Sequence, residues 1–116
     1  MESSIGIDII NVKDFEKRIK RKKYLLNHIF TDYEISYCKK RGVEHLASRF
    51  TAKEAFKKAA NIQKLSWKDI EIRNLPSGKP VLNISNKIKT ELKIKSADVS
   101  ISNIKEFAVA VVIITS

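Results

Sequence analysis

Eight successive residues, FAVAVVII at 107–114, hold nothing that gains by facing water, and no other stretch restricts the fold as much. The run is far shorter than the roughly 20 residues a helix needs to cross a bilayer, so it reads as a buried strand. Both of its faces are apolar. One must be covered by helices of the same chain and the other by something else, which in a chain of 116 residues points to another subunit.

Periodicity supplies the remaining elements. SIGIDII (4–10) alternates as a strand, with Ile5, Ile7 and Ile9 on one face and Gly6, Asp8 and Ile10 on the other. Asn11 with Asp14 resembles a helix N-cap, and Val12, Phe15, Ile19 and Leu26 then recur at helical spacing. That predicts a helix from 12 to about 26, with a break near Tyr24. Thr31 and Glu34 form a capping box that opens a short helix with Ile35 and Cys38 on its apolar side, stopping at Gly42. A further helix runs from about Glu44 to Ala60.

DIEIRN (69–74) and VLNI (81–84) flank the turn LPSGKP (75–80) as a hairpin. SNKIKTELKIK (85–95) is helix-like with Ser85 as its cap, and DVSISN (98–103) with EFAVAVVII (106–114) forms a second hairpin around Asn103. The order strand, three helices, hairpin, helix, hairpin predicts an α+β fold with a mainly antiparallel sheet, in one domain spanning 1–116.

The chain has 43% apolar and 31% charged residues with three Gly and two Pro, a globular composition without long linkers. Twenty-three Lys and Arg against 13 Asp and Glu leave a net charge of +10, which draws anionic partners. Nucleic acid, acidic protein, phosphorylated metabolite and membrane surface all satisfy that condition. One Cys and two His exclude an internal disulfide and a Cys/His zinc cluster, and fit a reducing cytoplasm. MESSIGIDII lacks a basic n-region and a long apolar h-region, so no export address is expected.

Several residues admit two readings. On the 44–60 helix, Arg49, Lys53 and Lys57 fall on one stripe, read as solvent-facing, and Ser48, Ala52, Ala55 and Ala59 on another that permits close packing. Glu54 and Lys58 share a third face with Ala47, Phe50 and Thr51. They are either a surface i,i+4 ion pair contributing ~0.3–0.5 kcal/mol or part of a site. Asp8 supports a site, because two carboxylates with waters and substrate phosphates are what Mg²⁺ takes; Asp8 can equally cap the following helix.

Lys17, Arg18, Lys20, Arg21, Lys22 and Lys23 put six cations in seven residues, Lys13 extends their exposed side, and Glu16 is the sole acid between 15 and 31. The run is a solvated face or, with so little alternation of sign, a docking surface for an acidic partner. LPSGKP reads as a turn, Ser100 and Ser102 as a polar pocket wall or a solvated strand side, Cys38 as packing, and His28 and His45 as structural.

Taken in order, GIDI, FTDYEISYC, LASRFTAKEAFKKA, LSWKDIEIRN, SGKP and VSISNIKEFAVAVVI resemble the bacterial holo-[acyl-carrier-protein] synthases, the small trimeric type of 4'-phosphopantetheinyl transferase. The resemblance runs from Ile5 to Ile114, and its most specific element is the RF-x-A-K-E-A-x-x-K-A core combined with the early G-I-D. It implies a homotrimeric 4'-phosphopantetheinyl transferase fold. It also implies transfer of 4'-phosphopantetheine from coenzyme A to a serine of apo acyl carrier protein, releasing adenosine 3',5'-bisphosphate, in fatty-acid biosynthesis.

By the same resemblance Asp8 and Glu54 match Mg²⁺ ligands and Lys58 a lysine near the pyrophosphate, the three forming the catalytic set. Arg49, Lys79, Pro80, Ser102 and Asn103 match a coenzyme A site between subunits. Lys13, Lys17, Arg18, Lys20 and Arg21 match the face that docks the acidic carrier protein. Two departures stand out: Asn103 replaces a common His, and NIQK (61–64) replaces a longer Gly-rich stretch. Asn donates hydrogen bonds but carries no charge, which predicts a weaker grip on coenzyme A.

No nucleic acid and no membrane are expected as partners. A nucleic-acid module built on the basic helix would interleave aromatics with its cations, and here only Phe15 and Tyr24 flank them. The other alternative is a relative that binds coenzyme A or carrier protein without turnover.

Overall fold

The computed structural model describes residues 2–116. In order these form β1 (Ser3–Asn11), α1 (Val12–Arg21), α2 (Tyr24–Ile29), α3 (Asp32–Lys39), α4 (Val43–Ala60), β2 (Ile70–Asn74), β3 (Pro80–Ile84), α5 (Asn86–Glu91), β4 (Ser96–Asn103) and β5 (Phe107–Thr115), with a single 3-10 turn at Trp67–Asp69. Every strand pairing is antiparallel, so the fold is α+β as the pattern predicts. The sheet is divided, however: β1, β5 and β4 form one sheet in that order, and β2 and β3 form a separate ribbon.

The caps sit where side-chain chemistry places them. Asn11 accepts from the Asp14 amide and Ser85 from the Ile88 amide, while Thr31 and Glu34 make both halves of a capping box. The helix expected over 12–26 is two helices, α1 and α2, and the break falls at Lys22 and Lys23. Ending α1 at Arg21 leaves Arg18, Lys20 and Arg21 at the favourable end of the helix dipole, with the Lys22 amide closing onto the Arg18 carbonyl. The helix expected over 85–95 is shorter too, because Lys93 adopts a left-handed φ of 53° and terminates it.

Helix α4 is the axis of the molecule. Ala52, Ala55, Phe56 and Ala59 pack against Ile70, Ile72, Ile84, Ile88, Val99, Ala110, Val112 and Ile114. Toward its start, Ala47 and Phe50 join Val12, Phe15, Ile29, Phe30 and Ala108 in a second apolar cluster. Because sheet and helices surround α4, the stripe read as solvent-facing is largely inside: Arg49 and Lys53 are buried and Lys57 is half-buried. The 100° rotation per residue assigns residues to stripes but does not say how many stripes are covered.

Gly6 sets the distance between β1 and α4. A Cβ there would lie 2.1 Å from the Ala55 carbonyl oxygen and 2.6 Å from the Ala59 amide nitrogen, so only glycine permits this approach. The small residues at 52, 55 and 59 are the other half of the contact.

The inward face of β5 carries Ala108, Ala110, Val112 and Ile114, all buried. Its outward face, with Phe107 and Ile113, lies beside Ile5, Ile7 and Ile9 of β1, which are 67%, 59% and 65% exposed. Among the described residues nothing covers that face.

Candidate active site

Alternation along β1 places Asp8 on the same side as Gly6, so the contact that Gly6 permits carries the Asp8 carboxylate to α4. There Asp8 Oδ2 accepts from the Thr51 hydroxyl, and Oδ1 accepts from Lys58 Nζ at 3.1 Å. Lys58 Nζ also donates to the Ile7 carbonyl at 3.0 Å. Asp8 is not a cap for α1, since Asn11 fills that place.

Glu54 lies between Thr51 and Lys58 on α4 and is half-buried. Its near cation is Lys57, at 3.7 Å, and not the Lys58 that i,i+4 spacing suggests. Lys58 turns to Asp8 because the shorter aspartate reaches α4 from across the sheet and adds a backbone carbonyl as a second acceptor. An open hollow of about 340 Å³, lined by Glu54, Lys57, Lys58, Asn61, Ile62 and Gln63, lies alongside. Asn61 stands at the C-cap in the left-handed region (φ 55°), a conformation open to Asn without glycine.

Arg49 belongs to a second polar region. Its Nη2 donates to Asn74 Oδ1 at 3.0 Å and its Nη1 to Ser48 Oγ at 3.0 Å and the His45 carbonyl at 3.4 Å. The Tyr37 ring lies 5.0 Å from the guanidinium, and Nε is buried without a partner. A smaller hollow of about 160 Å³ opens beside it, lined among others by Pro80, Ile101 and Asn103. Burial and then the Arg49 charge lower the pKa of His45 below its ordinary value.

The residues expected at coenzyme A are therefore only partly together in one chain. Arg49, Pro80 and Asn103 share the smaller hollow. Ser102 alternates away from Asn103 and is exposed with Ser100 on the outer face, and Lys79 is exposed on the 75–79 turn. Lys58 follows Arg49 by nine positions on α4, which is about half a revolution and roughly 13 Å of rise.

On α1, Lys13, Lys17, Arg18, Lys20 and Arg21 are all exposed, while Val12 and Phe15 hold the helix to the core. Among the described residues only Lys20 of these five has a carboxylate in reach, Glu16 at 3.7 Å. Arg18 lies 5.9 Å from the Phe50 ring centroid. Cys38 is packing, as expected: burial pushes its thiol up to about 11.

Sequence reasoning missed a buried ion pair, Lys53 with Glu34 at 2.7 Å, and the support of Arg49 by Tyr37 and Asn74. Thr51 was placed on the right face but not as a partner of Asp8. The capping box marked Glu34, yet no local spacing links residues so far apart along the chain.

Among the described residues no cluster of three or more His, Cys, Asp or Glu gathers, and no helix is long and apolar enough to cross a membrane. The Asp8 and Glu54 region instead offers two carboxylates and a hydroxyl, all oxygen donors.

Residues 4–112 match the family model of the 4'-phosphopantetheinyl transferase superfamily. The chain is 39% identical to the holo-[acyl-carrier-protein] synthase of Halothermothrix orenii, over 97% of each chain. Its fold superimposes on the Helicobacter pylori holo-[acyl-carrier-protein] synthase in complex with coenzyme A with a TM-score of 0.90 and 35% identity, over 96% of this chain and 99% of that one. The Bacillus anthracis holo-(acyl-carrier-protein) synthase, solved with CoA (3',5'-ADP), matches at 0.82 and 37% identity, over 97% of this chain and 96% of that one.

Proposed function

The chain belongs to the holo-[acyl-carrier-protein] synthases of the 4'-phosphopantetheinyl transferase superfamily, and from that premise we infer how its residues divide the work. It is a transferase that moves 4'-phosphopantetheine from coenzyme A to a serine of apo acyl carrier protein, in fatty-acid biosynthesis. The serine hydroxyl gives its proton to a base, its oxygen bonds to the β-phosphorus, the pyrophosphate bridge breaks, and adenosine 3',5'-bisphosphate departs with the bridging oxygen.

One observation carries the assignment of the centre: Asp8 crosses from β1 to meet Thr51 and Lys58 on either side of Glu54. Two carboxylates without nitrogen or sulfur ligands suit Mg²⁺, which keeps waters and substrate phosphates in its remaining positions. Asp8 and Glu54 would hold it. When bound, it would neutralise phosphate oxygens and the charge that grows on the leaving group. Thr51 orients the Asp8 carboxylate. Lys58, its side chain 56% exposed, is free to swing its ammonium from Asp8 toward the pyrophosphate and add a second positive charge there.

The half-revolution between Lys58 and Arg49 argues that one coenzyme A meets them on different subunits. Arg49, Pro80 and Asn103, with Lys79 and Ser102, form the part of the coenzyme A site that a neighbouring subunit supplies. The exposed outer face of β1 and β5 is the surface on which copies meet, and the assembly is a homotrimer. Lys13, Lys17, Arg18, Lys20 and Arg21 dock the acidic carrier protein, since four of the five have no carboxylate partner among the described residues. The 116 residues act as one domain, in the cytoplasm.

Incubating the protein with apo carrier protein, coenzyme A and Mg²⁺ tests this directly. The carrier should gain the mass of phosphopantetheine, and Glu54→Gln should abolish the gain. A wild-type protein that never modifies the carrier would overturn the activity, and an unimpaired Glu54→Gln variant the metal assignment. Light scattering should return the mass of three chains; a monomer at micromolar concentration would overturn the trimer.

A further inference from the structure

We propose that Asn74 is a positioning residue for coenzyme A, acting through Arg49. The inference rests on the reading that Arg49 contacts coenzyme A. Asn74 is the last residue of β2, at the mouth of the 75–79 turn, and three separate parts of the molecule meet at it. Its Oδ1 accepts from Arg49 Nη2 of α4 at 3.0 Å, its Nδ2 donates to the Gly78 carbonyl at 3.1 Å, and its backbone amide donates to the Tyr33 hydroxyl of α3 at 3.1 Å.

The polarity of these partners dictates the residue type. A guanidinium only donates and a carbonyl only accepts, so the side chain between them must accept on one arm and donate on the other. A primary amide does both; a carboxylate serves only the first partner and an ammonium only the second. The tie to Gly78 also fills a gap. In the β2–β3 ladder Asn74 stands opposite Pro80, which has no N–H to give, and the turn is otherwise closed by Leu75 N–H to Lys79 C=O at 2.9 Å and Gly78 N–H to Leu75 C=O at 2.7 Å. Asn74 therefore locks the guanidinium and the turn bearing Lys79 to one another.

Arg49 needs such a lock. It is 4% exposed, and among the described residues no carboxylate lies within ion-pair reach of it. A buried guanidinium held by neutral acceptors keeps its whole charge for an incoming anion, and its fork is useful only if its plane is held. Asn74 holds the plane without neutralising the charge.

The test compares Asn74→Ala, Asn74→Asp, Arg49→Ala and the Arg49→Ala/Asn74→Ala pair in the transfer assay, with coenzyme A titrated calorimetrically and melting temperatures in parallel. Asn74→Ala should raise KM for coenzyme A about five- to tenfold with kcat within about twofold, the mark of lost uniform binding. Adding it to Arg49→Ala should weaken binding by clearly less than Asn74→Ala does in wild type. Asn74→Asp retains the bond to Arg49 but pairs its charge and gives up the tie to Gly78, so it should melt no lower than Asn74→Ala and still bind coenzyme A more weakly than wild type. A merely structural residue would not separate those two readouts. If Asn74→Ala does not fold, KM of Asn74→Asp decides. Wild-type KM in both Asn74 variants, with Arg49→Ala impaired, overturns the proposal; unimpaired binding by Arg49→Ala overturns the reading beneath it.

Discussion

Helix α4 carries two lysines five residues apart, each against a carboxylate, and their surroundings could hardly differ more. Lys53 meets Glu34 at 2.7 Å with both side chains fully buried. Lys58 meets Asp8 at 3.1 Å with side chains 56% and 17% exposed. Every proton of the Lys53 ammonium has an acceptor: Glu34 Oε1, the Ile29 carbonyl at 2.8 Å and the Trp67 carbonyl at 3.2 Å. Glu34 also takes the Thr31 amide at 2.9 Å and the Ile72 amide at 2.7 Å. Burial pulls the Lys53 pKa below the ordinary lysine value, and Glu34 opposes that pull. A pair so completed ties α2, α3, α4 and β2 together and has nothing left for a ligand. The Lys58 pair is open to solvent and shares its face with a second carboxylate, so it retains capacity for substrate.

The largest expected effect breaks the closed pair. Lys53→Met leaves the buried Glu34 without its cation and should cost about 3–5 kcal/mol of unfolding free energy in urea; Lys53→Met/Glu34→Leu should recover little of it, because the Thr31 and Ile72 amides then lose their acceptor. A variant that loses activity at unchanged stability would erase the distinction between the pairs. Asp8→Asn is the converse: turnover should fall about 10²–10³-fold, while unfolding free energy stays within about 1 kcal/mol of wild type.

Gly6→Ala joins the two regions, since it forces β1 off α4. It should cost about 1–3 kcal/mol and also lower turnover by displacing Asp8; full activity would show that Asp8 reaches α4 without this contact.

The smallest effect concerns the region intermediate between the pairs, where Arg49 is buried but lacks a carboxylate. His45 beside it has a folded pKa below the ordinary 6.5. The neutral form is thus favoured by folding, and its contribution is present above pH 6.5 and is lost as the pH falls below it. Melting temperature should decline slightly more steeply below pH 6.5 in wild type than in His45→Gln.

Much of this was legible locally. Asn11, Thr31 with Glu34, and Ser85 announce helix starts because a cap is a contact between residues three apart. The alternation of Gly6 and Asp8 put the carboxylate on the face that meets α4. What misled was α4 itself: Arg49 and Lys53 read as a solvent stripe because charge ordinarily marks the wet side, whereas here Glu34 and Asn74, distant in sequence, supply their partners. The pairing of Glu54 with Lys58 failed for a similar reason, as spacing along one helix ignores a competitor arriving on a strand.

The sequence by itself determined the order of elements apart from the division of the first helix, the antiparallel α+β class, the two apolar faces of β5 and the residue types of the candidate site. Those are consequences of short-range backbone geometry and of side-chain hydrophobicity, which act within a few residues. Only the tertiary structure decided which lysine is sealed and which is open, that Asp8 rather than Glu54 holds Lys58, and that Arg49 and Lys58 face opposite ways. Such choices depend on how closely two distant segments approach, and at β1 and α4 that distance is set by one missing Cβ.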